Sequence, residues 1–191
     1  PVISAPQEPA ARFVLEMEAN ETRAPIEFIE EPLLGYPVAL PGEHQKWNAA
    51  LAVTALHRAG LLLNSDTVRH GLSHVAWPGR FERIRPDVIL DGAHNPHAAN
   101  VLAQTWKSQF PQANPSLVFS AVAAKDIAGI LEILAPLASR IFLCPVDTPR
   151  AVSAEELAIH LPAHTPHETF ASFQAAFAAA PCACLSIESM T

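Results

Sequence analysis

From residue 81 to the C-terminus, short apolar runs alternate with stretches of helical length, and this alternation restricts the fold more than any other feature of the sequence. Phe81 to Ile84, Val88 to Leu90, Leu117 to Val122, Ile141 to Cys144 and Cys184 to Ile187 read as strands. Pro96 to Phe110, Asp126 to Ala138, a segment opened by Ser153-Ala154-Glu155-Glu156, and Thr169 to Ala180 read as helices. Strands that alternate with helices of about 10–15 residues require a parallel or mostly parallel sheet covered on both faces. The fold class is therefore α/β.

The first 80 residues read differently. Phe13, Leu15 and Met17, then Ile26, Phe28 and Ile29, then Tyr36, Val38 and Leu40 alternate weakly, which predicts short strands between Glu, Pro and Gly turns. In PGEHQKWNAALAVTALHRAG, residues Trp47, Ala50, Leu51, Thr54, Ala55 and Arg58 recur at helical spacing, and Gly60 can end the helix. Asn64 or Ser65 can cap a second helix over DTVRHGLSHV. Trp77-Pro78-Gly79-Arg80 then breaks the pattern, and a Pro-Gly pair between helix and strand marks a domain junction. Two domains are expected, 1–79 and 80–191.

Composition removes several function classes. Half of the 191 residues are hydrophobic, enough for one core and part of a second. The chain is acidic, with a formal net charge of -7 and no basic run, so a nucleic-acid partner is not expected. No apolar run approaches the roughly 20 residues that span a bilayer. The three cysteines show no metal-ligand spacing and read as buried thiols in a reducing compartment, with the cytoplasm as the expected location. His44, His57, His70, His74, His97, His160, His164 and His167 form no metal-ligand pattern, and no structural metal is expected among them. The chain opens on Pro1-Val2-Ile3-Ser4 without an initiator Met, so it is expected to be part of a longer polypeptide.

The stretch VILDGAHNPHAAN, residues 88–100, is where chemistry concentrates. A buried strand runs into Asp91-Gly92, and a helix starts at Asn95-Pro96. Asn95 can cap that helix, and Pro96 suits its first position because its missing N–H would have had no partner there. In parallel α/β sheets, ligands gather at the carboxyl ends of the strands, where helix N-termini offer free N–H groups to anions. Asp91 is placed to accept hydrogen bonds from a ribose, and His94 to donate to a phosphate oxygen. From pattern alone a strand–Asp–Gly turn is more often only a turn, Asn-Pro is equally explained by capping, and Arg80 could be a solvated arginine.

The motifs HQKWNAA (44–50), WPGRFE (77–82) and DGAHNP (91–96), in this order, resemble the carboxyl half of the folylpolyglutamate synthase/dihydrofolate synthase family, within the Mur ligase superfamily. PVISAPQ at the start, Lys125-Asp126 after an apolar strand, and Arg150 ahead of Ser153-Ala154-Glu155-Glu156-Leu157 extend the resemblance over nearly the whole chain. It implies a Rossmann-like, mostly parallel sheet, the glutamate-ligase domain, preceded by the C-terminal part of a central ATP-binding domain. It also implies ATP-dependent joining of L-glutamate to folate or dihydropteroate through an acyl phosphate. Asn48 would contact the adenine, Arg80 the nucleotide's phosphate or ribose, and Asp91 the ribose. His94 would lie near the terminal phosphate or the incoming substrate, and Lys125 would hold a glutamate carboxylate. ATP and magnesium are the implied cofactors, with the magnesium ligands expected upstream of Pro1. The partners are small molecules, and the expected state is a monomer.

The chain also departs from the family. None of its seven glycines precedes a lysine, so the phosphate-binding loop G-x-x-x-x-G-K-[ST] is absent. In FSAVAAKD, Ser120 and Ala124 stand where the family usually has Gly and Asp, and the ending CACLSIESMT puts the last strand in doubt. These 191 residues alone are expected to be at most weakly active. Two rival readings stand: another amino-acid ligase of the superfamily, or a non-catalytic α/β binding module. Asp147 and Arg150, in a Pro-rich loop, are either substrate-facing or merely exposed, and the second reading is preferred.

Overall fold

In the computed structural model the described residues are 1–181 and 183–186, the last four as backbone only. The chain divides into two compact units, Pro1–Ala76 and Trp77–Thr191. Trp77 to Gly79 fall with the second unit because Gly79 is tied into it: its carbonyl accepts from Gly92 N–H (2.8 Å) and its N–H donates to Glu82 Oε2 (2.8 Å).

The first unit opens as a strand–helix–strand crossover. β1 (Val2–Ser4) pairs in parallel with β2 (Ile26–Phe28), and α1 (Pro9–Glu21) connects them. The alternation at Phe13, Leu15 and Met17 predicted a strand there, and the structure corrects this. Pro9 sits at the first helical position, Ala, Leu, Glu and Met are strong helix formers, and Arg12 pairs with Glu16 one turn on at 2.8 Å. Of α1 only Ala19 is buried, while Phe13 is 61% exposed, so the apparent period of two was never a buried strand face. Tyr36, Val38 and Leu40 lie in irregular chain rather than in a strand. There Ala39 N–H bonds the Leu72 carbonyl, and the Arg69 guanidinium lies over the Tyr36 ring. α2 (His44–Arg58) and α3 (Ser65–His74) follow, with the Asn64 side chain capping α3 by accepting from Thr67 N–H. Arg58 of α2 reaches Glu27 of β2 at 2.6 Å.

The second unit is a six-stranded sheet. β3 (Glu82–Arg85) forms an antiparallel hairpin with β4 (Val88–Asp91). β5 (Ser116–Phe119), β6 (Arg140–Leu143), β7 (His167–Thr169) and β8 (Ala183–Ser186) run parallel to β4, in the order β3-β4-β8-β5-β6-β7. The sheet is thus mostly parallel, as the alternation required. The unusual C-terminal sequence still supplies a central strand, and Ile187 lies outside the described residues. β7 was not expected from the sequence, where its last residue, Thr169, reads as the start of a helix running to Ala180. Its three residues are exposed at the sheet edge and so carry no apolar signature. α7 (Phe173–Ala179) begins only after Ser172, whose hydroxyl caps it.

Side-chain alternation sorts the core into two layers. Ile89, Leu117, Phe119, Ile141 and Leu143 face the cluster that includes α4 (Pro96–Gln109), α5 (Ile127–Leu134) and α6 (Ala154–Ile159). Val88, Val118, Phe142 and Cys144 face the cluster of Ala176 and Phe173 on α7. Adjacent strand residues point to opposite faces, so runs such as Leu117-Val118-Phe119 are apolar throughout because both faces are covered. Burial in this layer pushes the Cys144 thiol up to about 11. No helix among the described residues is long and apolar enough to cross a membrane.

Candidate functional site

The carboxyl ends of β4 and β5, together with the chain entering β3, carry four of the five site residues expected from the sequence. Asp91 is the last residue of β4. Its Oδ2 accepts from Phe81 N–H (2.9 Å) and its Oδ1 from Ala93 N–H (2.9 Å), so one carboxylate ties the strand end to the chain entering β3. Burial is the main influence on Asp91 and raises its proton affinity above the ordinary carboxylate value of 3.8; the two backbone N–H groups and the nearby charge of Arg80 pull the other way. Each carboxylate oxygen keeps a lone pair beyond its backbone bond, available to a hydroxyl.

Arg80 is exposed, between two residues of positive φ, Gly79 (69°) and Phe81 (49°). Phe81 is a strained non-glycine residue. Its N–H is held by Asp91, and its ring is buried with centroids 6.2 Å from those of both Trp106 and Phe110. The loop bearing Arg80 is therefore fixed at both sides. Among the described residues the Arg80 side chain has no ion-pair partner within 4 Å.

His94 is half-buried, and its Nδ1 lies 2.9 Å from the Gly92 carbonyl oxygen. A carbonyl only accepts, so Nδ1 carries the proton and Nε2 is the nitrogen left to meet a ligand. Asn95 Oδ1 caps α4 by accepting from Ala98 N–H (2.8 Å), with Pro96 at the first position as its sequence suggests. Lys125 precedes Asp126, whose Oδ1 caps α5 by accepting from Gly129 N–H (2.9 Å). A Cβ on Gly129 would stand 2.5 Å from Asp126 Oδ2 and 2.9 Å from Pro96 Cγ. The lack of a side chain at Gly129 thus lets the first turns of α4 and α5 touch, and this brings the His94 and Lys125 loops together.

Arg150, read from the sequence as exposed, also stands at this edge. Val122 and Ala151 form a β-bridge, Ala123 N–H bonds the Arg150 carbonyl (2.9 Å), and Val152 N–H bonds the Ala121 carbonyl (3.1 Å). The loop after β5 is zipped to the loop after β6, so exposed Arg150 belongs to the same edge as Lys125. The Arg-then-helix pattern was the available signal, but nothing in it tells which neighbouring loop it joins. Asn48 belongs to the first unit. It is exposed on α2, with its amide donating to Oε1 of buried Gln45 (2.9 Å).

Residues 79–184 match the family described as Mur ligase, glutamate ligase domain. The chain belongs to that family. The glutamate ligase domain occupies the second unit, and the Asp91 and Lys125 loops stand at its strand ends. The dihydrofolate synthase/folylpolyglutamate synthase of Bacillus subtilis is 31% identical over 82% of this chain and 43% of its own length. The dihydrofolate synthase/folylpolyglutamate synthase of Mycobacterium tuberculosis is 42% identical over 63% of this chain and 26% of its own. Among solved structures, folylpolyglutamate synthase of Mycobacterium tuberculosis complexed with ADP and AMPPCP superposes with a TM-score of 0.83 at 26% identity, covering 98% of this chain and 52% of that one. FolC of E. coli in complex with DHPP and ADP gives 0.78 at 28% identity, covering 98% and 50%. The chain spans about half the length, or less, of these relatives.

Proposed function

We propose that the protein carrying these residues joins the amine of L-glutamate to a carboxylate of folate or dihydropteroate, with ATP activating that carboxylate as an acyl phosphate. The carrying observation is the lock between Asp91 and the Arg80 loop, which fixes a cation and a hydrogen-bond acceptor at one strand end without help from a ligand. Arg80 offers a permanent planar cation to phosphate oxygens, and Asp91 accepts from ribose hydroxyls through its remaining lone pairs. His94, oriented by its bond to Gly92, presents Nε2 to the transferring phosphate or to the incoming amine. Lys125 and Arg150, on zipped loops, suit the two carboxylates of glutamate. Such a reaction asks little covalent chemistry of the protein; placing the reactants and neutralising charge supply the rate. Magnesium, when bound, would supply positive charge against the phosphate oxygens. Among the described residues no group of three His, Cys, Asp or Glu side chains could hold a metal, so no residue here is assigned to it.

The test is ADP release that depends on both glutamate and a folate or dihydropteroate acceptor, with the new amide detected by mass. Arg80→Ala and Asp91→Ala should each abolish most of that release. Release that is indifferent to the acceptor, or to both substitutions, contradicts the reading.

A further inference from the structure

His70 and His74 lie in the first unit and play no part in the ligase reading. They stand four residues apart on α3, which puts both rings on one face of the helix. Their ring centroids are 4.2 Å apart, with planes inclined by 35°. Both residues are exposed, and among the described residues no carboxylate bonds either ring. His74 Nδ1 lies 2.8 Å from the His70 carbonyl oxygen and 2.9 Å from Ser73 Oγ. The carbonyl can only accept, so Nδ1 carries the hydrogen, and in the neutral ring the lone pair sits on Nε2. Metal-bound histidines are held in this way, one ring N–H on a carbonyl and the other nitrogen on the ion.

We propose that His70 and His74 form a two-imidazole chelate for a late first-row divalent cation, of the zinc, nickel or copper(II) class. Imidazole donors without a carboxylate favour these ions over magnesium or calcium. Two nitrogens about 2.0–2.1 Å from a tetrahedral zinc stand roughly 3.4 Å apart, which small ring rotations reach from a 4.2 Å centroid separation. No third His, Cys, Asp or Glu among the described residues completes a cluster, so water fills the remaining positions. Bridging positions 70 and 74 closes the last turn of α3, and the bound ion stabilises the folded unit by mass action.

The experiment is a copper(II) titration of the chelator-treated chain followed by electron paramagnetic resonance, with zinc as competitor. The expected result is one saturable equivalent whose spectrum shows nitrogen ligation and which zinc displaces only in large molar excess. His70→Ala and His74→Ala should each weaken that equivalent tenfold or more, while substitution of the exposed His57 on α2, His57→Ala, leaves it unchanged. His70→Gln repeats the first test with a good helix former, and circular dichroism confirms that each variant keeps its helices. Absence of a saturable first equivalent, or unchanged affinity in the folded His70 and His74 variants, overturns the proposal.

Discussion

Two loops at the same sheet edge each place a cation beside a left-handed, non-glycine residue, yet they are held in different ways. Arg80 precedes Phe81 at φ 49°, and Lys125 follows Ala124 at φ 70°. The first loop is locked by side chains: the Asp91 carboxylate grips Phe81 N–H, and the Phe81 ring is buried beside Trp106 and Phe110. The second is locked by backbone, through the Val122–Ala151 bridge and the Ala123 N–H to Arg150 carbonyl bond. A side-chain lock fails when its side chain is cut, whereas a backbone lock tolerates such cuts and gains when its strained residue is relaxed.

The largest test of that contrast is Phe81→Ala, which should destabilise the second unit by about 3–5 kcal/mol, the range for a buried aromatic truncated to alanine. Asp91→Ala leaves two part-buried N–H groups without their acceptor and should cost about 2–4 kcal/mol. Chemical denaturation measures both, and losses below about 1 kcal/mol in either would show that the loop does not depend on this lock. Arg80→Ala should change stability little while weakening ADP at least tenfold by calorimetry. Arg80→Lys should restore only part of that affinity, because lysine lacks the planar fork. The backbone-locked loop should respond with the opposite sign: Ala124→Gly relieves left-handed strain and should stabilise by about 0.5–1 kcal/mol. A loss there would mean that Ala124 makes contacts which outweigh its backbone strain.

The smallest effect concerns pH. Burial raises the Asp91 pKa above 3.8 in the folded chain. Between 3.8 and that raised value the folded state binds more protons than the unfolded one, so stability falls as pH rises through the window. Comparing Asp91→Asn with the parent chain from pH 3 to pH 7 should show this downward slope only in the parent. Glu27, lowered by its hydrogen bond to Arg58, contributes the opposite trend, losing stability as pH falls.

The same contrast explains what was legible in the sequence. The parallel sheet was readable because Val88-Ile89, Leu117-Val118-Phe119 and Ile141-Phe142-Leu143 are apolar on both faces. The Asn95 cap and Pro96 start were readable because they are local chemistry. β7 was not, since an exposed edge strand of three residues has no hydrophobic pattern to offer. α1 was misread because three alternating apolar residues outweighed helix propensity, although most of that helix buries nothing. At the site, the proximity of Asp91 and Arg80 was expected, but its cause was not. Spacing does not reveal that Asp91 bonds Phe81 N–H, or that a left-handed phenylalanine sets the loop. Arg150 was set aside as exposed, which it is. Its place beside Lys125 comes from the Val122–Ala151 bridge between two loops far apart in sequence, and no local pattern encodes it.

The most direct test of the central claim is an ADP titration of the 191-residue chain followed by backbone amide NMR. Saturable shifts confined largely to residues 79–82 and 91–98 are expected, abolished in Arg80→Ala and retained in Ala124→Gly. Shifts that leave those segments untouched, or that persist unchanged in Arg80→Ala, would contradict it.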